Sequence, residues 1–310
     1  MDRPPGATNL EAEPVSPTLG KRRRPTHWLY PGLFLLTVLW TWSAGALMSG
    51  DSTRLVPWPT DLWGRPGAWL EGLSYALGVI LILGAHEMGH YVACRLYRID
   101  ATLPLFLPAP NPFGTFGAVI RIRSPFPSRK ALFDVGIAGP IAGFVVAIPI
   151  VLYGLAHSTA GGPMPEGTLS LSSCLLLDGL YPLYFPAAPT PIHLHPAFVA
   201  GWLGLFVTSL NLIPLAQLDG GHILYAVAPR RHESLSRVLL VVMSAVGAAS
   251  GGYHLVLFAL IFAVLGIRHP ATLDDAEPLG AGRRVLAGVA LGIFVITFIA
   301  APFQFDLATP

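Results

Sequence analysis

The stretch ILGAHEMGHYVACRLYR, residues 82–98, sets two histidines and a glutamate into an otherwise apolar run. Ionisable groups are costly in or beside lipid, and where they occur in an apolar helix they pair with one another or serve a function. On a helix, residues four apart share a face. His86 and His90 can therefore aim two ring nitrogens at one ion, while Glu87 stands beside it without binding it.

The rest of the chain supplies the setting. Of its 310 residues, 53% are apolar and 12% charged, whereas a soluble domain carries roughly 25% charge. The apolar residues gather into runs near the ~20 residues that a bilayer span needs. Seven spans are expected, at about 29–49, 67–97, 131–157, 197–227, 233–250, 252–267 and 284–302. The first contains Ala44-Gly45-Ala46, which mimics a signal-peptide cleavage site, but its length and the spans that follow favour a retained helix. The fold class is thus an all-α polytopic membrane protein. It divides into a disordered cytoplasmic tail (1–28), the first span with an external loop (29–66), a membrane core (67–227) and C-terminal spans (228–310).

Charge orients it. With the N-terminus inside, 17 of the 19 Lys and Arg residues fall in cytoplasmic segments, and only Arg54 and Arg65 fall outside. This is the positive-inside bias, and dropping one internal helix would invert every later loop. A net charge of +2 without a basic, aromatic-interleaved patch excludes nucleic acid as a partner. Cys94 and Cys174 are expected on opposite sides of the membrane and form neither a disulfide framework nor a metal knuckle.

A His-Glu-x-x-His arises by chance in such a chain with a probability of roughly 0.7%, so the motif is read by its chemistry. A peptide carbonyl is a poor electrophile and neutral water a poor nucleophile. Zinc addresses both, bringing the pKa of its water to about 7, and Glu87 fits the general base. A catalytic zinc takes three protein ligands and leaves one position open. Asp219, in NLIPLAQLDGGHILYA (residues 211–226), is the candidate third ligand, because it sits at matching depth near a cytoplasmic helix end. Pro214 breaks that helix and Gly220-Gly221 loosens it, so backbone can line a water-filled cavity there.

Together, His86-Glu87-Met88-Gly89-His90, Asn211-x-x-Pro214 and Leu218-Asp219-Gly220 resemble the site-2 protease family of intramembrane zinc metalloproteases, over roughly residues 67–227. The resemblance implies His86, His90 and Asp219 as ligands of one Zn2+, Glu87 as base, and cleavage of a single-pass transmembrane substrate within the bilayer. It also implies that Asn211 helps to hold the substrate or its developing oxyanion; a helix–helix hydrogen bond is an equal alternative. The chain departs from better-known relatives in carrying no inserted PDZ domain and no C-terminal nucleotide-sensing domain. Two rivals remain: a metal carrier or sensor, which has no use for Glu87, and a silent relative, whose usual mark is a lost ligand or base. The expected setting is the cell membrane of a bacterium or archaeon; substrate identity and oligomeric state are not readable.

Residues 99–128 are broken by prolines and glycines, and Ala118-Val119-Ile120-Arg121-Ile122-Arg123 alternates as a strand does. A short β-hairpin or re-entrant segment is expected between the metal-binding helices. Its edge could pair with an unwound substrate, with Gly114 and Gly117 allowing close backbone approach. In DVGIAGPIAGF, Gly139 and Gly143 read as a helix-packing face and Asp134 as compensation for the helix dipole. His222, after the glycine pair, is a lesser candidate for supporting the site, and the other histidines read as loop or interface residues.

Overall fold

The computed structural model describes residues 28–48, 66–161, 169–186 and 192–305. The expected tail, Trp28 excepted, and residues 49–65 of the first external loop lie outside the described residues. In chain order the elements are α1 (Leu29–Met48), α2 (Pro66–Leu96), β1 (Leu105–Pro108), β2 (Thr115–Val119) and α3 (Arg129–His157). There follow β3 (Thr159–Ala160), β4 (Leu169–Leu171), α4 (Leu175–Tyr184), β5 (Ile192–His193), α5 (Pro196–Asn211) and α6 (Asp219–Val227). The chain continues through α7 (His232–Ser250), α8 (Tyr253–Leu265), α9 (Ala281–Thr297) and β6 (Phe303–Phe305).

Among the described residues, four helices are long and apolar enough to cross a membrane: α1, α2, α3 and α7. The expected count of seven is not confirmed, because the other candidates are shorter. Helix α8 has 13 residues and α9 has 17, against the ~20 that span a 30 Å core. The expected span 197–227 is two helices. Pro214 has no N–H to give the ladder, α5 stops at Asn211, and the chain turns through Ala216 in a left-handed conformation (φ 51°) before α6 begins. Gly220 and Gly221 do not loosen this region. A Cβ on Gly220 would stand 2.1 Å from the Leu212 carbonyl oxygen, so the glycines let α6 lie directly on the irregular backbone before it. The connection between α3 and α5 also holds the unforeseen helix α4 and the small sheet β3–β5, and its strand β4 pairs with β6 after α9.

The centre is a bundle of α2, α3 and α5, filled by Tyr75, Phe198, Trp202 and Leu205. In lipid such packing is driven by close contact rather than by escape from water. The indole N–H of Trp202 is satisfied by the Ser172 carbonyl at 2.8 Å. Large apolar side chains on α1 (Leu35), α7 (Val238, Val241), α8 (Leu257, Leu260) and α9 (Val285, Leu291) are exposed, the surface of a membrane protein rather than of a water-soluble one.

Strands β1 and β2 form the expected antiparallel hairpin, Leu105 opposite Val119. The hairpin runs along α1: Phe34 meets Phe106 of β1 edge-on with ring centroids 5.1 Å apart, and the tip reaches Trp40 and Thr41. A Cβ on Gly114 (φ 78°) would fall 2.5 Å from the Trp40 carbonyl oxygen, so only glycine lets the tip reach that depth. Asp134 lies past the first turn of α3, too far in to compensate the helix dipole as expected. It takes two hydrogen bonds from Arg283 of α9, at 2.8 and 2.6 Å, and one from the Tyr97 hydroxyl, tying α2, α3 and α9 together.

Candidate metal centre

Helix α2 carries His86, Glu87 and His90, all buried. Asp219 is the first residue of α6, where the positive end of the helix dipole favours a carboxylate. The break at Pro214 is what brings that helix start to the face of α2. His86 Nε2 and His90 Nε2 lie 3.1 Å apart. Asp219 Oδ2 is 3.2 Å from His86 Nε2, and Asp219 Oδ1 is 3.3 Å from His90 Nε2. Ligands at about 2.0–2.1 Å in tetrahedral array around zinc stand roughly 3.3 Å from one another. The three donors thus lie at the edge lengths of a coordination tetrahedron.

Their protonation agrees. His90 Nδ1 lies 2.7 Å from the Val135 carbonyl oxygen, which can only accept, so Nδ1 holds the proton and Nε2 presents its lone pair. Such a bond behind a ligand histidine fixes its tautomer and ring plane. Two imidazole nitrogens and a carboxylate converging at these distances fit a divalent cation.

Room for the rings comes from α3. A Cβ on Gly139 would sit 2.1 Å from His90 Nε2, and one on Gly143 would sit 3.2 Å from His86 Nδ1. These glycines, expected only to pack helices, clear the space in which both imidazoles stand. The sequence carried a signal for this role: two small residues four apart on the helix after the histidine pair.

Glu87 is beside the ligands and is held off them. Its Oε2 accepts the Ile120 N–H at 2.7 Å, so the residue after β2 orients the carboxylate. The edge follows from neighbouring bonds. Arg121 O accepts from Thr102 N–H and Arg123 N–H donates to Asp100 O, both within the hairpin, so Ile120 and Ile122 face the site. A cavity of about 300 Å³ is lined by the three ligand candidates, Glu87, Ala118, Ile120, Ile122, Asn211 and His222, among others. Asn211 Nδ2 reaches to 3.3 Å from His86 Nε2. Gly114 and Gly117 are not in that lining: the first is against α1, and the second has open space at its Cβ position.

The family pattern described as peptidase family M50 matches residues 74–252, which take in the helices bearing every one of these groups. The chain belongs to peptidase family M50. Its similarity to curated proteins runs the same way. It is 29% identical over 247 residues to "Probable zinc metalloprotease EGY1, chloroplastic" of Oryza sativa subsp. japonica, covering 77% of this chain and 42% of that protein. It is 30% identical over 243 residues to the rice (subsp. indica) protein named EGY2, covering 76% and 44%. With the Arabidopsis thaliana EGY1 it shares 28% over 234 residues, covering 73% and 42%. The chain spans less than half the length of these relatives. They are plant proteins named as chloroplastic, so the expectation of a bacterial or archaeal membrane is not borne out; charge bias orients a chain without saying whose membrane holds it.

Proposed function

We propose that this M50 member is a zinc metalloendopeptidase that cleaves transmembrane segments of single-pass membrane proteins near the cytoplasmic face. The observation that carries the reading is the convergence of His86, His90 and Asp219 at tetrahedral edge lengths, with Glu87 beside them, the histidines and Glu87 on a helix apolar enough to span. Zinc bound there would supply a Lewis acid and a water activated near neutral pH. Glu87 takes the proton of the attacking water and returns it to the departing amine. Ile120 keeps the base aimed, and Asn211, in the lining of the same cavity, would donate to the developing oxyanion. The edge at Ile120 and Ile122 offers main-chain groups to a substrate drawn out as a strand, since a peptide inside a helix is shielded from attack. The chain crosses seven times in this reading, α5 and α6 making one broken span. Purified protein should hold about one zinc per chain, as three ligands require. Glu87→Ala should keep the metal and cleave nothing, and the proteome of cells carrying it should lack a membrane fragment that the wild type releases. A Glu87→Ala variant that cleaves normally sinks the reading. Against a carrier or sensor stands Glu87 itself, oriented and kept off the ligand set by a backbone donor.

A further inference from the structure

His222 lines the same cavity, one helical turn after Asp219 on α6, and the reaction proposed above leaves it unused. Its ring is joined to residues 266–280, the segment between α8 and α9. Main chain anchors that segment: Leu273 N–H donates to Phe126 O at 3.0 Å and Asp274 N–H to Pro127 O at 3.1 Å. Side chains add to the anchorage. The Tyr225 hydroxyl donates to Asp275 at 2.7 Å, Arg129 donates to the Glu277 carbonyl at 2.9 Å, and Lys130 pairs with Glu277. Tyr225 also stacks on the His269 ring, with centroids 4.4 Å apart. His269 is therefore a fixed group.

A relay of hydrogen bonds then assigns every proton. His269 Nδ1 lies 2.7 Å from the Pro270 carbonyl oxygen, which can only accept, so Nδ1 carries hydrogen. Burial pushes His269 down to about 4, which keeps the ring neutral and its Nε2 a bare acceptor. His222 Nδ1 stands 2.7 Å from that Nε2 and must be the donor. The neutral His222 is left with a bare Nε2 that has no protein partner among the described residues.

We infer that His222 Nε2 accepts a main-chain N–H of the peptide bound in the cavity, and that His269 is the positioning residue that holds His222 in this tautomer. The inference rests on the proteolytic reading above and adds the atom that reads the peptide's N–H side. A peptide unwound into a water-poor cavity leaves its N–H groups without partners, which is costly. The ligand set and Asn211 address the carbonyl, whereas a bare imidazole nitrogen is the complementary group for the amide hydrogen.

Two measurements test this on the full chain in lipid nanodiscs. Nitrogen-15 histidine spectra, assigned through His222→Gln, should show His222 protonated at Nδ1 and bare at Nε2. His269→Phe keeps a ring on Tyr225 but removes the acceptor, and should abolish that preference. His269→Gln returns an acceptor to the same place and should restore it. Protonated Nε2 on His222 in the wild type overturns the inference.

The second measurement uses a synthetic single-span peptide, N-methylated at one position at a time. At one position the wild type should lose about tenfold in kcat/KM, the scale of one hydrogen bond. His222→Ala should start about tenfold lower, lose nothing further at that position and keep its zinc, while His222→Gln recovers part of the rate. Equal losses in wild type and His222→Ala at every position overturn it. A wild type that leaves the peptide intact, as Glu87→Ala does, removes the proteolytic reading and the substrate half of the inference, while the spectra still decide the histidine relay.

Discussion

At the scale of single residues, the metal centre depends as much on absent side chains as on present ones. Gly139→Ala would set a methyl carbon 2.1 Å from His90 Nε2, and the ring cannot yield without leaving the ligand position. Zinc affinity should fall by 10-fold or more, in the range of changes behind a ligand. Competitive titration with a chromophoric chelator reads this directly. Gly292→Ala, with nothing within 4 Å, is the control and should bind as the wild type does. An unchanged affinity for Gly139→Ala would mean that His90 is not a ligand in this pose. Asp219→Ala should likewise weaken binding, because it removes one of three donors; full retention would eliminate it as a ligand. His86, Glu87 and His90 were legible because four-residue spacing on a helix is a local rule. The glycines were not read for their role, since what they clear space for lies on another helix. The donor to Glu87 was not legible either: a backbone N–H has no letter of its own.

At the scale of elements, the hairpin is the part whose role can be dissected. Period-two alternation in residues 118–123 foretold an edge, and the bonds now say which side each residue takes. Arg121 N–H is taken by Thr102 Oγ1 at 2.9 Å, whereas Ile120 N–H meets Glu87. Proline lacks the donor and is poorly tolerated inside a paired strand. Ile120→Pro should therefore cut kcat sharply by freeing the base, and Ile122→Pro should chiefly raise KM by weakening substrate pairing. Zinc content, read by elemental analysis, should stay constant in both. Alanine at either site should change cleavage little. If proline and alanine behave alike at 120 and 122, the edge takes no part in substrate binding. The break between α5 and α6 was legible at Pro214, since a missing donor ends a helix wherever it stands. Helix α4 and the small sheets β3–β5 and β4–β6 were not, and the strand pairing joins residues as distant as Leu169 and Phe305.

For the whole molecule, the charge bias predicts an orientation. Reporter fusions after residue 24, near 125 and near 275 should read cytoplasmic, and one near 175 external. An external reading near 125 would move the proposed active site to the other face. Arg283, Lys130 and Arg129 all find partners at that end of the molecule. How many times the chain crosses was the least legible property, because hydropathy counts apolar letters and not the length of unbroken helix. The hairpin tip lodged against Trp40 and Thr41 has one more consequence, for biogenesis. If α1 spans a bilayer, that backbone would sit at membrane depth, where only protein can satisfy it, with α1 as the wall it leans on. Because α1 precedes the hairpin in the chain, synthesis would place the wall before the hairpin needs it. A chain synthesised from residue 66 onward would present the hairpin to lipid, and should be degraded unless α1 is supplied as a separate peptide.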